Sequence, residues 1–213
     1  METGIRMKTA IFGGTFDPLH RGHIELLRNI YDELCPDRMM IIPTGHPYLK
    51  ENEGKNVTPS RVRLEMLRIG LEELEMPYEI SLIEMENEGP SYSVDTIHKI
   101  KTDDSSRGNG FAEGEYFFLC GSDVLFSVEK WHEAKSFLSE VVLAVVPRGT
   151  DDTDLILEKK KELEEKMNAK VYISSFRGKE ISSSMIRKDP EANKNLLSEK
   201  VFEYIAGHNL YGM

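Results

Sequence analysis

The chain has 213 residues, enough for one sizeable domain or two small ones. Its 37 acidic and 27 basic residues leave a net charge of −10, and with no long Lys/Arg run this excludes the broad basic face that grips a nucleic-acid backbone, while a local basic pocket for a small anion stays open. The longest aliphatic stretch, Val141 to Val146, is far short of the roughly 20 residues that cross a bilayer, and 39% hydrophobic with 30% charged residues is the composition of a folded domain.

In chain order, Met1 to Met7 carries an acid at its second position and no apolar run, so it does not read as a secretory signal; Met7 is a second candidate start. Apolar runs predict strands at Thr9 to Phe12, Met39 to Ile42, Tyr78 to Ile83, Tyr116 to Cys120, Val141 to Val146 and Val171 to Ile173. Amphipathic stretches predict helices at about Gly22 to Leu34, Ser60 to Leu74, Ser93 to Ile100, Val124 to Leu138, Asp154 to Met167 and Leu196 to Ala206. This alternation is that of βαβ units and implies an α/β fold with an open, doubly wound parallel sheet. The polar, Gly-rich stretch Thr102 to Glu115 reads as a long surface loop, and the charges of Glu158 to Lys166 read as a solvated helix face. The two cysteines, Cys35 and Cys120, form neither a disulfide framework nor a metal knuckle, which places both as reduced thiols of a cytoplasmic protein.

The first strand runs into Ile11-Phe-Gly-Gly-Thr-Phe-Asp-Pro-Leu-His-Arg-Gly-His23, with glycines where a strand must turn into a helix. Gly13 and Gly14 present no Cβ, so a phosphate can approach the main chain, and the helix beginning near Gly22 aims its unpaired N–H groups and positive dipole end at the same place. His20 and His23, three apart, can set both rings on one side and donate to phosphate oxygens. Other readings are a plain Gly-Gly turn or a histidine metal site, although the spacing suits helical chelation poorly and no third ligand is evident nearby. No Gly-x-Ser-x-Gly elbow offers a covalent nucleophile. Near the other end, Ile181-Ser-Ser-Ser-Met-Ile-Arg187 can cap a short helix from whose first turns Arg187 projects; alone it is an ordinary N-cap with a surface arginine.

Taken together, the strand-terminal Gly-Gly-Thr-Phe-Asp-Pro, the His-x-Gly-His and the late Ile-Ser-Ser-Ser-x-Ile-Arg resemble the nucleotidyltransferase superfamily of adenylyltransferases and cytidylyltransferases. Further segments narrow the resemblance to the bacterial nicotinate-nucleotide adenylyltransferases: Ile41-Ile-Pro-Thr-Gly-His-Pro-Tyr-Leu-Lys50, Thr58 to Leu67, Gly89-Pro-Ser-Tyr-Ser-Val-Asp-Thr-Ile97, Phe118-Leu-Cys-Gly-Ser-Asp-Val-Leu125, Trp131-His132, Val145-Val-Pro-Arg-Gly149 and the tail Leu196 to Tyr211, all in family order. The chain departs in carrying Ser93 and Ser184 where threonine is usual, each keeping the hydroxyl, and His-Pro-Tyr-Leu-Lys in place of Pro-Pro-His-Lys before Lys50.

The resemblance implies a single Rossmann-like nucleotidyltransferase domain over 7–213, with 1–6 as a short extension and about six strands. It implies transfer of AMP from ATP to nicotinate mononucleotide by in-line attack, without a covalent intermediate, giving deamido-NAD and pyrophosphate. His20, His23, Lys50 and Arg187 would be catalytic, contacting or neutralising phosphates. Gly13, Gly14, Thr15, Phe16, Gly121, Asp123, Arg148, Ser182 and Ser183 would bind ATP, and Tyr92, Ser93, Trp131 and His132 the nicotinate nucleotide. Mg²⁺ would enter with ATP, since no acidic cage is evident in the sequence. ATP and nicotinate mononucleotide are the expected partners, with no nucleic acid or membrane, and homo-oligomerisation stays open. Asp123 reads equally as a cap of the next helix, and Trp131 as a core or groove anchor. The rival readings are an adenylyltransferase acting on phosphopantetheine, whose chains lack the Pro-Ser-Tyr segment and the Trp-His pair, a non-catalytic nucleotide-binding module, and an interaction domain that does not bind ATP.

Overall fold

Runs of buried residues such as Ala10-Ile11-Phe12 and Leu143-Ala144-Val145 are apolar at every position rather than at alternate ones, which requires a sheet covered on both faces. In a computed structural model, which describes residues 6–47, 56–87, 89–108 and 110–213, they form a six-stranded, all-parallel sheet. Its strands are β1 (Lys8–Gly14), β2 (Arg38–Pro43), β3 (Glu79–Ile80), β4 (Glu115–Gly121), β5 (Val142–Val146) and β6 (Lys170–Ile173), in the order β3-β2-β1-β4-β5-β6. The chain builds outward from β1 in one direction and then from β4 in the other, so the strand order reverses between β1 and β4. In such sheets the crevice beyond the carboxyl ends at that reversal is where ligands bind.

Successive side chains of each strand go to opposite faces. Ala10 and Phe12 join one core with Ile24, Leu27 and Ile30 of helix α1 (Arg21–Leu34) and Leu64, Leu67 and Leu71 of α2 (Ser60–Leu71). Ile11 joins the other with Val94, Ile97 and Ile100 of α3 (Ser93–Arg107). That second core also takes Phe137 of α5 (Ala134–Glu140), Ile156 and Leu163 of α6 (Thr153–Met167), and Leu125 of the single-turn α4 (Ser122–Leu125). A third cluster joins α7 (Ser183–Lys188) and α8 (Glu199–Gly207) to α2 through Ile186, Val201, Ile205 and Met66.

The structure corrects four expectations. The expected loop from Thr102 is helical through Arg107, because its polar side chains are satisfied inside the helix: the hydroxyls of Thr102, Ser105 and Ser106 donate to the carbonyls four residues earlier. Asp104 turns inward to Arg38, at 2.7 and 2.5 Å, and to the Tyr116 hydroxyl at 2.7 Å; Gly108 then ends the helix with φ 61°. The expected helix Val124 to Leu138 is broken into α4, a 3-10 turn at Val128–Lys130 and α5, with Trp131 extended and Glu133 left-handed at φ 47°. The strand expected at Tyr78 to Ile83 pairs only over Glu79–Ile80. The last helix starts at Glu199, where the Ser198 hydroxyl caps it, and not at Leu196, which lies in a 3-10 turn.

Candidate active site

Beyond the carboxyl ends of β1 and β4 lie two adjoining pockets that share Gly13, Gly14, Thr15, Phe118 and Trp131 as a common wall. The larger, of about 500 Å³, brings together most of the residues expected to contact phosphates or bind ATP: Phe16, His20, His23, Gly121, Asp123, Arg148, Ser182 and Ser183. The smaller, of about 200 Å³, is lined by Tyr92, Ser93 and His132, three of the residues expected to bind the nicotinate nucleotide. Arg187 is not on the wall of either pocket, although its neighbour Ser184 is. Lys50 lies outside the described residues.

His20 is the N-cap of α1 and is only 6% exposed. Its ring stacks on that of His23, with centroids 3.6 Å apart and planes 16° from parallel. The His20 main-chain N–H donates to His23 Nδ1 at 3.2 Å, which leaves the proton of a neutral His23 on Nε2 and makes that atom the donor. Phe16 meets the His23 ring edge-on at 5.4 Å and Phe12 approaches it at 5.7 Å, so the imidazole is clamped from several sides. The two glycines that matter most are set by crowding: a Cβ on Gly14 would come within 2.9 Å of the Phe16 ring, and one on Gly22 within 3.1 Å of His20 Nδ1.

His20 Nδ1 is buried with no partner among the described residues, and a buried polar atom in a native fold normally has one. Burial, reinforced by the charge of Arg148 and opposed by a main-chain hydrogen bond, pulls the His20 pKa from 6.5 down to about 4. The ring is therefore neutral at pH 7. Because the folded value lies below the unfolded one, the unfolded chain takes up this proton first: stability from His20 is complete above pH 6.5 and is lost as pH falls from there toward 4. An anion placed against the stacked rings favours the charged form. Titration of inorganic pyrophosphate at pH 5.5, followed by calorimetry in buffers of different ionisation enthalpy, is expected to show proton uptake that shrinks in His20→Asn. Equal uptake by the two proteins would refute this role.

Opposite the histidines, Ser182 caps α7, its hydroxyl accepting from the Met185 N–H at 3.2 Å, as the serine cluster implies. The Ser183 hydroxyl donates to the Pro18 carbonyl at 3.0 Å, joining the late motif to the early one across 165 residues. Arg187 donates to the Asp17 carbonyl at 2.8 Å and to the Ser184 hydroxyl at 3.3 Å. Asp123 does not cap α4, whose N-cap is Gly121 with no side-chain bond; its exposed carboxylate stands 3.7 Å from Arg148 on the cleft wall.

In the smaller pocket the break after Val128–Lys130 delivers Trp131 and His132 to the wall. Trp131 is anchored by Phe118 and Phe137, with centroids 6.0 and 5.5 Å away, so it is at once a packing residue and a pocket face. His132 lies against Tyr92 at 4.2 Å. Ser93 is the first residue of α3, whose Tyr92 N-cap carries no side-chain bond. The first-turn N–H groups of this helix are donors for an anion.

The sequence reading missed several residues here. Glu84, 8% exposed, lines the smaller pocket and accepts from the Thr96 hydroxyl at 2.9 Å. Burial raises its pKa, opposed by the Thr96 and Thr44 hydroxyls and by the charge of Lys99. Lys179, two residues before the serine motif, is the only lysine among the described residues on the cleft wall. Arg63, 1% exposed, runs beneath the shared wall and donates to four main-chain carbonyls: Thr58 at 2.9 Å, Thr15 at 2.7 Å, Thr44 at 2.7 Å and Gly45 at 2.9 Å. Lys179 could have been noticed from its place in the sequence. The placements of Glu84 and Arg63 are tertiary and leave no local pattern.

The family described as Cytidylyltransferase-like matches residues 11–189. Among similar proteins are a probable nicotinate-nucleotide adenylyltransferase of Clostridium tetani, 32% identical over 96% of this chain and 98% of the relative, and one of Dehalococcoides mccartyi, 32% identical over 97% and 98%. Among solved structures, the nicotinic acid mononucleotide adenylyltransferase of Plasmodium falciparum complexed with NaAD superposes with a TM-score of 0.71 at 21% identity, covering 96% of this chain and 97% of that one.

Proposed function

Since the chain belongs to the cytidylyltransferase-like family and, within it, to the nicotinate-nucleotide adenylyltransferases, we propose that it transfers AMP from ATP to nicotinate mononucleotide, releasing pyrophosphate and forming deamido-NAD in NAD biosynthesis. The observation that carries this reading is the pair of pockets with a common wall at Gly13, Gly14, Thr15 and Trp131. One suits a triphosphate and the other a flat ring bearing an anion, so the phosphates of two nucleotides meet at the strand-end glycines.

A phosphate oxygen of nicotinate mononucleotide attacks the α-phosphorus of ATP in line; the new P–O bond forms as the bond to the β-phosphate oxygen breaks, and pyrophosphate leaves with that electron pair. The nucleophile is already an anion, so the protein contributes positioning and neutralisation rather than covalent chemistry. His23 Nε2–H and His20 donate to the phosphates, Arg148 faces the leaving group, Lys179 stands on the same wall paired with Glu25 at 2.5 Å, and Arg187 stands behind Ser184 to neutralise it. Lys50 keeps a phosphate role in this proposal. Mg²⁺ entering with ATP would supply further neutralisation of the phosphate charge, and among the described residues no three His, Cys, Asp or Glu side chains gather as a metal group. No described helix is long and apolar enough to cross a membrane, and we place the reaction in the cytoplasm.

In the smaller pocket Trp131 and Tyr92 face the pyridine ring, while the first-turn N–H groups of α3 and His132 meet its carboxylate. An amide would leave its own N–H₂ facing donors, so the acid is preferred over the amide. The test is product formation with ATP and Mg²⁺, offering nicotinate mononucleotide, nicotinamide mononucleotide and phosphopantetheine as acceptors. Dinucleotide from the nicotinate acceptor, at a kcat/KM at least about tenfold above the amide, is expected on the scale of one lost polar contact. Equal turnover of acid and amide would defeat the specificity assignment, and product from phosphopantetheine alone would defeat the function.

A further inference from the structure

Tyr211 is separated from the Asp17 turn by 194 residues, yet its hydroxyl donates to Asp17 Oδ1 at 2.7 Å. It holds a left-handed backbone, φ 59° and ψ 24°, which a bulky residue rarely adopts. Asp17 is 2% exposed. Its other carboxylate oxygen accepts from the Thr58 main-chain N–H at 3.3 Å and lies 3.9 Å from Arg187 Nη1, while its own carbonyl accepts from that same nitrogen at 2.8 Å. Burial first, and then the charge of Asp17, push the Tyr211 phenol well above its ordinary range, so it stays a donor at any working pH.

We propose that Tyr211 is a positioning residue for Arg187: by engaging the Asp17 carboxylate it keeps that buried charge from closing onto the guanidinium, which is thereby left to the phosphates beside Ser183 and Ser184. Without the hydroxyl, Arg187 is the charged donor nearest to the carboxylate, and a direct pair draws the arginine back from the cleft. The proposal rests on the assignment of Arg187 to the leaving pyrophosphate.

Tyr211→Phe keeps the ring in its cluster with Met66, Ile186 and Val201 and removes only the oxygen. Expected are a fall in kcat of about tenfold, an unchanged KM for nicotinate mononucleotide, and a similar loss of pyrophosphate affinity by calorimetry. In an Arg187→Ala background the same change should cost less than about twofold, since coupled residues are not additive. An equal loss in both backgrounds assigns Tyr211 to fold stability and overturns the proposal, as does no loss in either. Pyrophosphate affinity needs no acceptor, so a wild-type protein that binds pyrophosphate but makes no dinucleotide would sink the acceptor assignment, while the affinity cycle would still decide the role of Tyr211.

Discussion

His23→Ala is expected to lower kcat on the order of 10²- to 10³-fold, the scale of removing one preorganised donor from a charged transition state. The magnitude follows from how completely the ring is committed in advance. Its Nδ1 is occupied by the His20 N–H, its face by the His20 ring and its edges by Phe12 and Phe16, so Nε2–H is aimed before substrate arrives and little reorganisation accompanies the reaction. KM for ATP should change much less than kcat, because the strengthened bond belongs to the charge that develops during transfer. Steady-state kinetics on the purified variant, with thermal unfolding to verify the fold, makes the comparison. A loss smaller than about tenfold would take His23 off the catalytic list.

Arg63→Met should be the most damaging single change to stability, about 3 kcal/mol or more by denaturant unfolding. It strips the donor from the carbonyls of Thr15, Thr44, Gly45 and Thr58 at once; an acceptor left buried and unmatched, as at Gly45, costs roughly 1–3 kcal/mol, and the three half-buried ones add to it. Lysine restores the charge but cannot reach all four carbonyls with one ammonium group, so Arg63→Lys should recover only part of the loss. A destabilisation by methionine below about 1 kcal/mol, or full recovery by lysine, would show that the loops hold their places without the guanidinium.

These two residues also mark what could be seen in the sequence and what could not. The parallel sheet was legible because unbroken apolar runs such as Val141 to Val146 suit strands covered on both faces, and the gathering of Gly13, Gly14, His20 and His23 on one pocket wall was legible because they lie close together in the chain at a strand end. Arg63 lay in a helical pattern, where an arginine reads as a solvated position; its burial depends on the carbonyls of two loops brought to it by β1 and β2. The helix through Thr102 to Arg107 was hidden for a related reason. Its serines and threonine resemble a loop until their hydroxyls are seen to bond back along the helix, and Asp104 resembles a surface acid until Arg38 and Tyr116 arrive from the sheet. The break that exposes Trp131 leaves no mark in the sequence because the apolar spacing on its two sides stays in phase.

That break has an optical consequence. Trp131 is the only tryptophan in the chain, and it stands on the wall common to both pockets. The intrinsic emission of the protein at tryptophan wavelengths thus comes from one indole in contact with each half of the site, so quenching or a spectral shift on filling either pocket would be read without a label. One cuvette could then follow the order in which the two nucleotides arrive.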